Sequence, residues 1–355
     1  MNILLIRLRL IGDVVFTTPI LRALRREYPD ARLAYVVEPH AAPIVAENPH
    51  VDDVIVASRP DGPERLAADL RLARRLHAAR YDLVLDLHGG PRSALLAWAS
   101  GAPRRIGYTV TGRAWMYTER VQRDRSLRPR HSVVNQWDLL TPLGFGPPDP
   151  ERDATEMPVS PAAVRSVTAK LAAAGVDPAR GRIIVLHVSA GNPFRRWPAA
   201  SFVALATSLI RADPERRIVM ISGPSERVAA RQIGEQARRV LGPAARSVVD
   251  DIEFDLVELR AVMDAAALFI GGDSGPLHVA GTTSVPIVGL YGPTLAARSA
   301  PWRPARFASE SVELSDLGCR PCNQRRCEPG DFRCLGSIAP AQVADAAEHA
   351  LNRGR

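Results

Sequence analysis

The feature that most constrains this chain is the alternation of short apolar runs with amphipathic helical stretches. In its first part, apolar runs predict strands at residues 2–8, 32–37, 54–56 and 83–87. Helical stretches are predicted between them at residues 14–26 and 64–79. Strands and helices that alternate in this way build a parallel sheet with helices on both faces.

A proline-rich stretch between residues 142 and 161 separates this series from a second one. The second series predicts strands at 182–187, 217–222, 268–271 and 285–291, and helices at 161–174, 198–211, 226–240, 256–266, 276–280 and 340–352. A chain of 355 residues is long enough for two domains that each bury a core. We therefore expect an α/β protein with two Rossmann-like domains, residues 1–158 and 159–338, and a closing helix within 339–355. Ligands of such sheets bind beyond the carboxyl ends of the strands, which places the expected site in a cleft that the two domains face.

The charge of the chain favours anionic partners. The formal net charge is +8, and Lys170 is the only lysine, so arginine supplies nearly all of the positive charge. Arginine suits paired contacts with phosphate and carboxylate groups. Aromatic residues make up only 5% of the chain, which leaves few stacking surfaces for nucleic acid. A nucleotide, a phosphorylated lipid or a membrane surface fits this charge, and we expect no nucleic-acid partner.

No stretch reaches the roughly 20 apolar residues that a transmembrane helix needs. Near the N-terminus, Arg7 and Arg9 interrupt the apolar run, and no small-residue cleavage site follows it. We interpret that run as a first strand. The expected protein is cytoplasmic, with a basic surface that is compatible with peripheral contact with a membrane.

The loop after the first predicted strand, residues 7–19, contains Gly12 and Asp13 at the passage from strand to helix. Aspartate is a common helix N-cap. At the mouth of a cleft, its carboxylate could also take a proton from a hydroxyl nucleophile. A helix N-terminus lowers the basicity of such a group, so it would act mainly through its position. The loop lacks a GxGxxG pattern, which argues against dinucleotide binding.

Two loops of the second series carry charged candidates. Arg195 and Arg196 follow a small-residue loop at 189–191, where they could clamp a diphosphate or form a solvated basic turn. Glu226 follows the next strand, where it could accept hydrogen bonds from a ribose or base, or favour the start of a helix.

The strongest signal is GGDSGPLHVAG at residues 271–281. A purely structural loop rarely needs Asp273, Ser274 and Gly275 together after two further glycines. A helix that begins at Pro276 would aim free N–H groups at a bound phosphate, with His278 in its first turn. We predict a ligand-binding role for this loop.

Four cysteines lie close together in the sequence, at Cys319, Cys322, Cys327 and Cys334. Their spacing is compatible with a zinc site, an iron–sulfur site or two disulfides, and a reducing cytosol disfavours disulfides. We expect the cysteine segment, residues 319–334, to be a structural element rather than a catalytic centre.

Taken together, these loops resemble glycosyltransferase family 9, the lipopolysaccharide heptosyltransferases. The resemblance runs over nearly the whole chain, and the cysteine segment is most similar to the second and third core heptosyltransferases. Its motifs are IGD at 11–13, HSVVNQWDLLTPLG at 131–144, FRRWP at 194–198, SGPSER at 222–227, GGDSGPLHVAG at 271–281, YGPT at 291–294 and the cysteine segment.

The resemblance implies a GT-B fold and an inverting, metal-independent transfer from ADP-heptose to a lipopolysaccharide core at the inner membrane. It implies that the first domain binds the acceptor, with Asp13 as the general base, and that the second binds the donor. The residues implied for donor binding are Arg195, Glu226, Phe254, Asp273, Ser274, Gly275 and His278.

Two positions depart from the family pattern, and alternatives stay open. Val188 stands where relatives usually have proline, and Arg195 stands where lysine is commoner, so another nucleotide sugar could be the donor. The Rossmann-like pattern also allows an NAD-dependent oxidoreductase. A basic protein that binds nucleic acid through a zinc module is a third alternative, which predicts an affinity that falls steeply with salt.

Overall fold

The computed structural model describes residues 1–123, 129–180, 182–188 and 192–354. The chain divides into two compact units, Met1–Pro158 and Val159–Arg355. The small-residue loop formed by Ser189, Ala190 and Gly191 lies outside the described residues. Within the described ranges, no helix is both long and apolar enough to cross a bilayer.

The first unit is built on a parallel sheet. Its strands are β1 (Asn2–Ile6), β2 (Arg32–Val37), β3 (Asp53–Val56), β4 (Leu83–Asp86), β5 (Arg104–Tyr108) and β6 (Glu119–Val121). Among the described residues, the six strands lie in the order β3-β2-β1-β4-β5-β6, and every pair is parallel. Strands β1 and β4 lie at the centre and are buried on both faces, which explains their continuous apolar runs.

Helices connect these strands. They are α1 (Ile11–Val15), α2 (Thr18–Glu27), α3 (Glu64–Ala78), α4 (Pro91–Ala99) and α5 (Ser132–Trp137), with 3-10 helices at Pro39–Ile44, Ala114–Met116 and Asp138–Leu143.

The single helix predicted at residues 14–26 is wrong, because the structure has two helices there. Pro19 lies in the first turn of α2, where its missing N–H costs nothing, but its ring excludes a continuous helix through the preceding turn. The hydroxyls of Thr17 and Thr18 donate to the carbonyls of Val14 and Val15 at 2.7 and 2.8 Å. The Thr18 bond satisfies the Val15 carbonyl, for which Pro19 offers no N–H, and the Val14 carbonyl also accepts from the backbone nitrogen of Thr17 at 3.0 Å.

The second unit repeats the same architecture. Its strands are β7 (Ile183–His187), β8 (Arg217–Ile221), β9 (Val248–Val249), β10 (Leu268–Gly272), β11 (Ile287–Tyr291) and β12 (Ser309–Glu313). They lie in the order β12-β11-β10-β7-β8-β9, again all parallel. Read from the other edge, this is the strand order of the first unit and of the Rossmann fold. The expected α/β class with two Rossmann-like halves is confirmed.

The helices of this unit include the predicted closing helix. They are α6 (Pro161–Ala173), α7 (Ala199–Ala212), α8 (Arg227–Leu241), α9 (Leu256–Ala265), α10 (Gly275–Ala280), α11 (Ala296–Ser299), α12 (Arg333–Gly336) and α13 (Pro340–Arg353), with 3-10 helices at Pro178–Arg180, Pro193–Arg195, Pro224–Glu226 and Gly242–Ser247. Helix α13 packs on α7 and on strands β10, β11 and β12. It therefore belongs to the core of the second unit.

A buried tryptophan fixes the chain just after the predicted basic pair. The ring of Trp197 meets the ring of Phe202 edge to face, with centroids 4.9 Å apart. Its indole nitrogen donates to the carbonyl of Ile338 at 3.1 Å. Because Trp197 is buried, the backbone that carries Arg195 and Arg196 is held against the core.

Gly107 of β5 makes room for a tyrosine that reaches across the sheet. A Cβ atom at this position would overlap the ring of Tyr117, which is itself buried. The Tyr117 hydroxyl donates to the Asp86 carboxylate at 2.6 Å, so a displaced ring would lose this bond.

We predict that Gly107→Ala lowers the free energy of unfolding by about 1–3 kcal/mol, the usual cost of overpacking a core. Gly146→Ala is the matched control, because nothing lies within 4 Å of its Cβ position. Urea unfolding followed by circular dichroism measures both. Equal stability of the two variants would show that Gly107 is not required for packing.

Candidate functional site

Asp13 is held in place by a buried arginine. It lies in the first turn of α1, and its carboxylate pairs with the Arg7 guanidinium. The side chain of Arg7 is 7% exposed, whereas that of Asp13 is 31% exposed. Arg7 Nη1 also donates to the carbonyl of Leu87 at 2.7 Å, just beyond β4. Asp13 is therefore anchored at the carboxyl ends of the two central strands while part of its carboxylate stays accessible.

The alternative in which Asp13 caps the helix is wrong. Leu10 occupies the N-cap position of α1, and no side chain makes a capping hydrogen bond there. Leu10 has a φ of 62°, in the left-handed region that non-glycine residues rarely adopt. The Asp13 carboxylate thus binds the Arg7 guanidinium rather than the helix backbone.

A second carboxylate organises the loop after β4. Asp86 is fully buried and accepts hydrogen bonds from the hydroxyls of Tyr117 and Ser93, at 2.6 and 2.9 Å. It also accepts from the backbone nitrogens of His88 and Gly89, at 3.0 and 2.9 Å. Burial raises the pKa of Asp86, and these four bonds oppose that rise. The carboxylate thus fixes the loop that presents His88.

His88 faces a group of positive charges. Burial lowers its pKa to about 4, and the nearby Arg7 and Arg9 act in the same direction. Arg113 donates to the Gly89 carbonyl at 3.2 Å, and the Arg123 guanidinium lies 5.0 Å from the centroid of the Tyr108 ring. A neutral imidazole among arginines suits hydrogen bonding to an anionic, hydroxyl-rich ligand.

The loop after β4 was not among the predicted parts of the site. The signal was present, because the segment HGGP at residues 88–91 directly follows the apolar strand predicted at 83–87. Polar and glycine residues at that place in an open parallel sheet are the pattern that identified the loops of the second unit.

In the second unit, Asp273 contacts two other predicted site residues, Arg195 and His278. Its carboxylate lies 3.4 Å from His278 Nε2 and 3.4 Å from Arg195 Nη1. It also accepts from the Thr294 hydroxyl at 2.5 Å. Burial alone would raise the pKa of Asp273, but His278, Arg195 and Thr294 outweigh burial and lower it to about 2. The group is therefore a fixed buried negative charge.

Arg195 is bonded on one side and accessible on the other. Its Nη1 donates to the Asp273 carbonyl at 2.7 Å, and its Nε donates to Gln324 Oε1 at 2.8 Å. No described residue accepts a hydrogen bond from Arg195 Nη2, and the side chain of Arg195 is 29% exposed. The guanidinium can therefore receive an anion without losing its existing bonds.

Ser274 and Gly275 follow Asp273 at the start of α10. The Ser274 hydroxyl lies 3.4 Å from His187 Nδ1, at the end of the adjacent strand β7. Burial lowers the pKa of His187 to about 4, so its ring is neutral at neutral pH. Gly271 is required by close packing, because a Cβ there would lie 3.0 Å from that of His187. The predicted loop 271–281 thus lies where β7 and β10 end.

The two remaining donor-site candidates lie in different surroundings. Glu226 is buried and accepts from Arg196 at 3.3 Å, and Arg196 lines a small cavity with Arg195 and Gly272. Phe254 lies on the loop before α9, where the Lys170 ammonium is 5.8 Å from its ring centroid. Glu226 thus lies at the edge of the Arg195 cluster, whereas Phe254 lies beside Lys170 of α6.

The four cysteines are free and half-buried. Burial raises the pKa of Cys334, and the nearby Cys319 and Cys322 thiols act in the same direction. In the ranges that the structure describes, no group of three or more His, Cys, Asp or Glu side chains is arranged to hold a metal ion. In this arrangement no zinc site is evident among the described residues, and no disulfide joins the four cysteines.

Comparison with known proteins agrees with this arrangement. The profile of glycosyltransferase family 9 (heptosyltransferase) matches residues 69–331. Lipopolysaccharide heptosyltransferase 3 of Escherichia coli is 29% identical over 302 residues, which cover 83% of this chain and 84% of that protein.

Solved structures show the same fold. The family 9 glycosyltransferase of Veillonella parvula has a TM-score of 0.83 at 25% identity, covering 99% of this chain and 97% of that one. The E. coli ADP-heptose lipopolysaccharide heptosyltransferase II has a TM-score of 0.78 at 20% identity, covering 99% of each chain. The expected GT-B fold is confirmed, and the chain belongs to glycosyltransferase family 9, the heptosyltransferases.

Proposed function

We propose that this protein transfers heptose from ADP-L-glycero-D-manno-heptose to the inner core of lipopolysaccharide, with inversion at the anomeric carbon. Family membership and the names of the relatives support this donor and acceptor. The observation that carries the proposal is the cluster of Arg195, Asp273 and His278, which holds a partly exposed guanidinium ready for an anion. The same membership argues against the NAD-dependent oxidoreductase.

In the proposed reaction, Asp13 is the general base. The acceptor hydroxyl gives its proton to the Asp13 carboxylate, and the oxygen forms a bond to the anomeric carbon of heptose. The bond from that carbon to the diphosphate oxygen breaks, and ADP leaves with the electron pair. The ion pair with Arg7 orients the Asp13 carboxylate, so the base acts through its position.

Negative charge develops on the departing diphosphate, and preorganised donors there stabilise the transition state. We assign this role to Arg195, to the backbone around Ser274 and Gly275, and to His278. These groups make the transfer independent of a metal ion, because the guanidinium supplies the positive charge. Glu226 is assigned to the ribose and Phe254 to the adenine of the donor.

The basic loop around His88 is assigned to the acceptor. Arg9, Arg113 and Arg123 surround it, and they suit the anionic groups of a lipopolysaccharide core. This loop and Asp13 share the carboxyl edge of one sheet, linked by Arg7. A bound acceptor hydroxyl would therefore lie near the base.

We predict that Asp13→Asn lowers kcat by about 10²–10⁴, the usual range for a lost general base, while the affinity for ADP stays within about twofold. Steady-state kinetics and calorimetric titration with ADP measure the two quantities. Asp30→Asn, in an exposed turn, is the matched control and should keep full activity. Turnover near that of the control in Asp13→Asn would remove Asp13 from the mechanism.

We also propose that the protein works in the cytoplasm, in peripheral contact with an anionic lipid bilayer. The unpaired cysteines fit a reducing compartment. On the first unit, Trp98 and Trp115 are 47% and 58% exposed, and their ring centroids are 5.9 Å apart. Helix α3, which packs beside α4, exposes Arg71 and Arg74. Exposed tryptophan next to arginine is typical of surfaces that enter the headgroup region.

This surface adjoins the proposed acceptor loop. Trp115 is two residues from Arg113, which binds the Gly89 carbonyl. A glycolipid anchored in the bilayer could thus present its sugars to the loop while its lipid stays in the membrane.

We predict that the double variant Trp98→Ser/Trp115→Ser binds vesicles rich in phosphatidylglycerol at least about tenfold more weakly than the wild type, because two apolar anchors are lost. Vesicle sedimentation measures this. Val228→Ser is the control, because Val228 is 70% exposed on α8 of the other unit. Turnover with a delipidated acceptor should be unchanged, and unaltered vesicle binding by the double variant would contradict the assignment.

A further inference from the structure

The cysteine segment, residues 319–334, has no part in the proposed reaction. It nevertheless contacts the cluster of Arg195, Asp273 and His278, which we call the donor cluster. Its first attachment is Arg320, whose side chain is 3% exposed. Arg320 donates to the carbonyls of Gly292 and Leu314, donates to that of Thr294 at 2.8 Å, and pairs with Glu313 at 2.6 Å. The segment is thus fastened to the loop after β11.

That loop contacts the donor cluster. The Thr294 side chain donates to Asp273, and the backbone nitrogen of Cys322 donates to the Pro293 carbonyl at 3.1 Å. The start of the cysteine segment is therefore held against the loop after β11, close to Asp273 and Arg195.

The second attachment is Gln324. Its Oε1 accepts from Arg195 Nε at 2.8 Å and from Asn192 Nδ2 at 2.9 Å. Gln324 has a φ of 58°, a left-handed conformation that glycine adopts at lower cost. A glutamine at a position that favours glycine indicates that its side chain is needed there.

We infer that Gln324 is a positioning residue that holds the Arg195 guanidinium for the donor diphosphate. With Nε bonded to Gln324 and Nη1 bonded to the Asp273 carbonyl, the plane of the guanidinium is fixed from two sides. Among the described residues, none accepts a hydrogen bond from Nη2, so its donors stay available to a ligand. The inference rests on the donor role proposed for Arg195.

The neutral amide is the chemically suitable partner. A carboxylate at this place would pair with Arg195 and compete with the diphosphate for its charge. An amide oxygen orients the guanidinium and leaves its full positive charge for the ligand. Preorganisation of this kind increases affinity by reducing the ordering that binding requires.

The test is calorimetric titration of the full chain with ADP and, separately, with adenosine. Gln324→Ala and Gln324→Gly should each weaken ADP binding by about tenfold, the size expected for one lost hydrogen bond to a charged group. Adenosine lacks the diphosphate, so its affinity should not change. Gln324→Gly should be at least as stable as the wild type, which keeps the test valid if Gln324→Ala unfolds. Ser337→Ala, at an exposed position just beyond the cysteine segment, is the control and should bind ADP normally.

A double-mutant cycle separates this inference from the proposed function. In an Arg195→Ala background, Gln324→Ala should cause no further loss of ADP affinity, because the residue acts through Arg195. If Arg195→Ala itself keeps wild-type affinity, the donor role of Arg195 fails. If Arg195→Ala weakens binding but Gln324→Ala does not, or if the two losses multiply, the positioning role is overturned.

Discussion

The buried carboxylate of Asp273 is the interaction on which the site of the second unit depends. A buried charge is tolerated only when it is paired and hydrogen-bonded, and Asp273 meets this condition through His278, Arg195 and Thr294. Since its pKa is lowered to about 2, it stays ionised throughout the physiological range. Removing it would leave three cationic or polar partners without their common acceptor. The position of Arg195 is therefore a consequence of the fold rather than of ligand binding.

The first unit has a similar pairing of a buried and an accessible ion, with the charges reversed. There the buried group is the Arg7 guanidinium, and the partly exposed group is the Asp13 carboxylate. Arg7 is in turn fixed to the backbone beyond β4, where Asp86 organises the loop of His88. In each unit, a buried ion at the carboxyl edge of the sheet orients an accessible group of opposite charge. Such anchoring holds the accessible group in a defined geometry.

The sequence predicted the central strands well, because strands buried on both faces are continuous apolar runs. It did not predict β5, β6, β9 or β12. Strand β9 is only two residues long, and the sequences RRIGY, ERV and SESVE of the others carry charged residues and show no such run. The helix at 14–26 was predicted without its break, since the effect of Pro19 depends on where the first turn begins. These misses concern elements in which tertiary pairing outweighs the local pattern.

For the site, motifs located Asp13, Arg195, Asp273 and His278, and the structure shows how the last three meet. The roles of Asp86 and Gln324 could not be predicted in the same way. Asp86 acts on residues up to 31 positions away, and Gln324 reaches Arg195 across 129 positions. A single sequence gives no signal for contacts of this range. The zinc, iron–sulfur and disulfide alternatives for the cysteines depended on spacing alone, which does not determine how the thiols are oriented.

The central claim is that the protein takes ADP-heptose as its donor. The most direct measurement is the shift in melting temperature of the purified protein with ADP-heptose, ADP-glucose, UDP- and GDP-sugars, and NAD. Ligand that binds only the folded state stabilises it by mass action, so a saturating donor should raise Tm by several degrees. The account predicts the largest shift with ADP-heptose. A selective shift with a UDP- or GDP-sugar would contradict the assigned donor, and a shift with NAD alone would contradict the transferase function.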